Sequence, residues 1–240
     1  AEEMLLSQNY VIPTLNFQLH ASKPPTFAWL LVGMSSMFGE GVNISALSSR
    51  LPSAMATFVT LAALMLFVRF HFKKKSLADL CLPVLVWAAA LFPTLGGSVV
   101  LVDPALTLSL LPALLILTTL AQPDSFQKPT LVQSLGFGIS MALGSALKGP
   151  FGIIFPAFAM VLHTTLGVLF FRRHSLISVW LQLASRFFIA FVTAILGTAA
   201  FYVFLYKNGG EKLVTDFFLV HNFGRSLSAM EGHRGPFLYH

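Results

Sequence analysis

Between residues 80 and 121 the chain is almost wholly apolar, and Asp103 is the only charged side chain in that run. Charge at membrane depth costs about 2.5–3.5 kcal/mol unless it is paired or used. Asp103 precedes Pro104, and Asp followed by Pro is a helix start. Two readings stand: an N-cap at the membrane surface, or a carboxylate facing a cavity. Lys148, in Lys148-Gly149-Pro150, either snorkels to headgroups or offers its cation to a phosphate. Lys23 stands before Pro24-Pro25, whose stiff backbone favours a positioned side chain.

The densest polar group is His221-Asn222-Phe223-Gly224-Arg225 followed by His233-Arg234-Gly235-Pro236. It is either a solvated loop or an anion site in which Arg grips phosphate and His donates a hydrogen bond. In a helix, His221 and Arg225 would share a face. Metal ligation by His221 and His233 lacks a clear third ligand. Arg186 reads as a snorkelling cation and His163 as a side chain packed between helices. No nucleotide-binding loop, dinucleotide fingerprint or Ser-His-Asp arrangement is present.

The elements that must position these residues are membrane spans. The chain is 56% hydrophobic and only 10% charged, where soluble domains run near a quarter charged. Its mean hydropathy is +0.79. Apolar runs of about 20 residues recur and sustained alternation is absent, which excludes a β-barrel and points to an all-α, polytopic transmembrane bundle. The single Cys81 excludes a disulfide framework. Residues 1–49 are expected to be an extracytoplasmic loop with short amphipathic helices, 26–38 being too short to span. About six spans follow within 50–206: 51–70, 80–94, 104–121, 131–147, 151–171 and 177–206. Residues 207–240 form a second extracytoplasmic segment, with a short surface helix over 211–220.

The net charge of +6 sits in short loops, so it reads as membrane orientation rather than nucleic-acid binding. Lys73-Lys74-Lys75, Lys128 and Arg172-Arg173 fall on one face, expected to be cytoplasmic. Residues 1–49, Asp103, Lys148 and everything after Lys207 fall on the other.

With those residues placed, the chain resembles the membrane glycosyltransferases of the ArnT-like and protein-mannosyltransferase-like group (GT-C fold). The resemblance is carried, in order, by Glu3-Met4-Leu5 with Tyr10 through Asn16, Lys23-Pro24-Pro25 with Trp29-Leu30, and Ser49-Arg50-Leu51-Pro52-Ser53-Ala54. Asp103-Pro104, Lys148-Gly149-Pro150, Glu211 through Arg225, and His233-Arg234-Gly235-Pro236-Phe237 complete it. The family's leading Asp-Glu, which bears its candidate catalytic Asp, is expected just upstream of Ala1. Residues 1–240 are therefore expected to be a fragment without activity of its own. Ser22 and Ala21 stand where the family has Glu and an aromatic residue.

The resemblance implies transfer of a sugar from a polyprenyl-phosphate donor to an extracytoplasmic acceptor, which is a lipid such as lipid A, a glycan or a protein. It implies a bacterial inner-membrane location and no nucleotide. Asp103 would be a supporting carboxylate. Lys23, Lys148, His221, Asn222, Arg225, His233 and Arg234 would bind the donor phosphate or substrate. Metal dependence stays open. The competing readings are a multi-span transporter, which wants polar groups and broken helices at mid-membrane, and a catalytically degenerate relative.

Overall fold

A computed structural model of the chain describes residues 1–73, 99–122, 125–126, 128–171 and 176–218, with 76, 78, 81 and 85 as single positions. The expected second span, the run Lys74-Lys75, Arg172-Arg173, and His221, Asn222, Arg225, His233 and Arg234 lie outside the described residues. The elements in order are α1 (Glu2–Ser7), β1 (Thr14–Leu15), β2 (Gln18–Leu19), α2 (Thr26–Met37), α3 (Ala46–His71) and α4 (Asp103–Leu120). They continue with β3 (Ala121–Gln122), β4 (Ser125–Phe126), α5 (Leu131–Lys148), α6 (Phe151–Phe171), α7 (Leu176–Gly209) and α8 (Glu211–Thr215). The strands pair only as two short antiparallel hairpins, β1–β2 and β3–β4. Four helices, α3, α4, α6 and α7, are long and apolar enough to cross a bilayer.

The fifth helix, α5, is the axis of the bundle and packs against α2, α4, α6 and α7. Thr130 and Gln133 start it with a reciprocal capping box, and Gly149 at φ 67° followed by Pro150 stops it. Its buried face sets Phe137, Met141 and Leu147 among small residues, including Ser134, Gly138, Ser140, Gly144 and Ser145. Small residues let helix backbones approach closely where lipid offers no hydrophobic drive. A Cβ on Gly138 would lie 2.4 Å from the Ala190 carbonyl oxygen of α7, and one on Gly152 of α6 would lie 2.0 Å from the Gly144 backbone. The contacts Gln133–Thr119, Gly136–Ile116 and Ser140–Ser109 make α4 antiparallel to α5, while Gly138–Ala190, Ala142–Gly197 and Ser145–Tyr202 make α7 parallel to it.

Several hydroxyls inside the bundle are tied to carbonyls, which a water-free medium favours, whereas Thr198 Oγ1 is buried without a partner. Thr60 and Thr193 donate to the carbonyls of Ala56 and Ile189 one turn back. Ser53 Oγ reaches across to the Leu101 carbonyl at 2.8 Å, joining α3 to the approach of α4.

The helix ends refine the expected spans. The first span begins at Ala46 rather than residue 51, because Ser45 caps it and accepts from the Ser48 amide. Pro52 therefore lies buried inside the helix and does not open it. The last span runs to Gly209 and, at 34 residues, measures about 50 Å against a hydrocarbon core of about 30 Å. Its final turns carry the cap. There Tyr202 and Leu205 pack with Ala21, Leu213 and Phe217, flanked by Val11, Leu19 and Trp29.

Candidate functional site

Asp103 sits in the first turn of α4 and Lys148 in the last turn of α5. Because the two helices are antiparallel, these ends share one side of the bundle. The Lys148 ammonium donates to Asp103 Oδ1 as an ion pair. Each charge occupies the helix end whose dipole favours it, acid at an N-terminus and base at a C-terminus. The Phe151 ring centroid lies 5.6 Å from Lys148 Nζ on the next helix, within cation–π reach. The pair is not sealed: the side chains are 37% exposed for Lys148 and 22% for Asp103.

Beside this pair, α2, α3, α4 and α5 enclose an open groove of about 670 Å³. Ala105 and Leu147, adjacent in sequence to the ion pair's neighbours, line its head, and Val59, Pro112 and Gly136 line it toward the bundle interior. Three hydroxyl residues line it, and each donates elsewhere: Thr26 to the Ala146 carbonyl at 2.6 Å, Ser109 to Leu106 and Ser140 to Ser109. The groove is therefore hydrocarbon in character along its length; Asp103 and Lys148 do not themselves line it.

Lys23 is exposed and has no ion pair among the described residues. It borders a small cavity with Pro25, Tyr202 and Leu213. The Tyr202 hydroxyl donates to the Ser145 carbonyl at 3.2 Å, three residues before Lys148, so Lys23 belongs to the same end of the bundle. Ser22, where the family has Glu, lies 2.6 Å from His20 Nε2. Three other carboxylates at this end are engaged with neutral donors. Glu3 accepts from the Phe17 amide, Glu2 from the Ile44 amide and Glu40 from Ser45.

Of the expected site residues, the structure brings Asp103 and Lys148 into contact and sets Lys23 at the same end. His163 and Arg186 line neither the groove nor the small cavity. No cluster of three metal-ligating side chains occurs among the described residues. Which helices form the groove, and the Phe151 ring, were not foreseen. Only Phe151 left a local trace, three positions beyond Lys148 across the Gly149-Pro150 turn.

No protein-family model matches the chain, and no curated protein does. Among solved structures, the fold is similar to that of ArnT from Cupriavidus metallidurans bound to undecaprenyl phosphate, with a TM-score of 0.70 at 18% identity over 92% of this chain. The same protein in its apo state gives a TM-score of 0.69 at 18% identity over 91% of this chain. The chain spans 38% of the length of the first and 37% of the second. The likeness is one of fold, and the polytopic helical architecture expected from the sequence is the one observed.

Proposed function

We propose that this chain is the membrane part of a glycosyltransferase that moves a sugar from a polyprenyl-phosphate donor to an extracytoplasmic acceptor. The observation that carries the reading is the apolar groove, whose lining includes Leu147 and Ala105, one and two residues from the ion-paired Lys148 and Asp103. A long isoprenoid tail needs a channel without competing hydrogen-bond donors, and the groove's hydroxyls are all bound to backbone carbonyls. The phosphate at the end of that tail needs cations, and in this reading Lys148 and Lys23 supply them. A solved protein of the same fold carries undecaprenyl phosphate, which supports the donor class.

In this reading the acceptor hydroxyl oxygen bonds the sugar's anomeric carbon, the bond from that carbon to the phosphate oxygen breaks, and the electron pair leaves on the phosphate. Lys23 and Lys148 stabilise the departing charge, and Asp103 takes the acceptor's proton or orients its hydroxyl. His221, Asn222, Arg225, His233 and Arg234 would complete the phosphate and substrate contacts from the later extracytoplasmic segment. The membrane would be the bacterial inner membrane, with lipid A, a glycan or a protein as acceptor. The transporter reading has less support, because the described spans are continuous helices.

In the full-length protein, Asp103→Asn should lower sugar transfer by about 100-fold, the size of a lost general base, with membrane insertion and thermal stability unchanged. Transfer from a polyprenyl-phosphate sugar in proteoliposomes is the measurement. Wild-type rates in that variant would remove Asp103 from the site.

A further inference from the structure

We propose that the far end of α3 is a docking site for the headgroup of an anionic phospholipid, at the opposite end of the bundle from the Asp103–Lys148 pair. The site does not depend on the glycosyltransferase reading and needs only a protein that crosses a bilayer.

The last turn of α3 carries Arg69 and His71, and Lys73 follows just beyond it. Near the helix's other end, Ser53 bonds the Leu101 carbonyl shortly before Asp103. His71 therefore lies about 27 Å further along the axis, at a rise of roughly 1.5 Å per residue. Lys128, exposed ahead of α5, stands at the same far end. In sequence Lys74 and Lys75 come next, and no acid occurs between Glu40 and Asp79. Arg69, His71 and Lys73 have no hydrogen bond or ion pair among the described residues.

A helix C-terminus favours cations through its dipole, and cations beside a span orient it during insertion. Either effect accounts for the charge; neither accounts for how it is held. The His71 ring stacks on Phe67 with centroids 4.8 Å apart and planes at 12°, and Phe72 meets His71 edge-on at 4.8 Å. Packing against two rings fixes the imidazole, which in either tautomer offers one N–H. Lys73 has φ 54°, the left-handed conformation that a helix end usually gives to glycine. A lysine is strained there, and strain kept at a cation without an internal partner points to a ligand.

The ligand is membrane-borne rather than dissolved. Phe70 and Phe72 alternate with the cations and are 71% and 55% exposed, as suits side chains at the boundary between acyl chains and headgroups. Every phospholipid presents a phosphate at that depth. Net negative charge separates an anionic lipid from a zwitterionic one, and cations clustered just beyond a span select for it.

The experiment is native mass spectrometry of the full-length protein in neutral detergent, titrated with phosphatidylglycerol or phosphatidylcholine. Wild type should bind the first phosphatidylglycerol more tightly than phosphatidylcholine. Arg69→Gln should weaken phosphatidylglycerol about fivefold, as expected for one cation at an anionic surface, and leave phosphatidylcholine unchanged. Lys73→Gly separates binding from folding: it should lose about the same affinity while the unfolding temperature holds or rises, because glycine relieves the left-handed strain. Lys207→Gln, at the other end of the bundle, should change neither lipid. Equal binding of the two lipids by wild type overturns the site, and so does wild-type affinity in both Arg69→Gln and Lys73→Gly. An equal loss in Lys207→Gln would reduce the effect to net charge and overturns it too. Competition by inorganic phosphate as strong as by phosphatidylglycerol would show an anion site that needs no lipid, and overturns the proposal as well.

Discussion

The bundle around α5 and the cap built from residues 1–45 contain the same kinds of residue and use them in opposite ways. In the bundle a glycine is a contact surface: Gly152 lies against the Gly144 backbone with no room for a Cβ. In the cap a glycine is open, as at Gly33, where a Cβ would meet nothing within 4 Å. Carboxylates divide the same way. Glu2, Glu3 and Glu40 bond neutral amides and hydroxyls that a soluble ligand has no means of displacing. Asp103 bonds a partly exposed cation. The cap's carboxylates are stitches to neutral donors, and the bundle's one described pair joins charge to charge.

The sharpest way to break this comparison is to make one substitution in both places. Gly152→Ala should destabilise the folded protein by about 3 kcal/mol or more, the upper range for forcing extra volume into a packed interior, because backbone rather than a flexible side chain blocks the Cβ. Gly33→Ala should stay within about 1 kcal/mol of wild type on the stabilising side, as alanine does in an open helical position. Thermal unfolding in detergent measures both. Similar losses at the two sites would mean that the cap is packed as tightly as the bundle.

A smaller effect should follow from filling the groove. Ala105 is buried at its head on α4, one turn from nothing bulkier than Leu106 and Leu108. Ala105→Phe should lower kcat/KM for a long polyprenyl donor by about tenfold, the loss of roughly 1.4 kcal/mol of apolar contact. A short-chain donor should be affected less. Equal losses for both donors would place the tail elsewhere.

The bundle was more legible in the sequence than the site. The expected spans 131–147 and 151–171 match α5 and α6 within one residue, because a capping Thr130 and the Lys148-Gly149-Pro150 break punctuate them locally. The start of α3 was misplaced because Pro52 reads as a boundary, while Ser45 caps the helix through a side-chain bond seven residues earlier. Asp103 and Lys148 were visible as residue types out of place in apolar surroundings. Their contact was not, since it joins positions 45 apart through the antiparallel packing of two helices. The groove's location was invisible for the same reason: each of its four helices contributes a few ordinary apolar residues, and only the assembly makes a channel. The central place of α5 did leave a signal, its glycines and serines among longer neighbours.

The smallest effect belongs to a single stitch in the cap. Asn16 and Phe17 turn the β1–β2 hairpin with φ of 54° and 59°, a two-residue turn in which the second position is usually glycine. Phe17 in that conformation costs about 1 kcal/mol, and the Glu3 carboxylate accepts its amide at 3.1 Å. The Thr14 hydroxyl, followed by the Phe17 and Asn16 amides, holds the Glu3 carboxyl below its ordinary value of 4.5. A carboxyl depressed on folding contributes stability that is complete above the ordinary value and is lost as pH falls through the folded one. Hydrogen exchange at the Phe17 amide should therefore be protected at pH 6 and lose protection progressively below about pH 4.5. Glu3→Gln should show weak protection at every pH, with the unfolding temperature almost unchanged. If wild type and variant exchange alike at pH 6, the carboxylate is a bystander and the strained turn is held by its own strands.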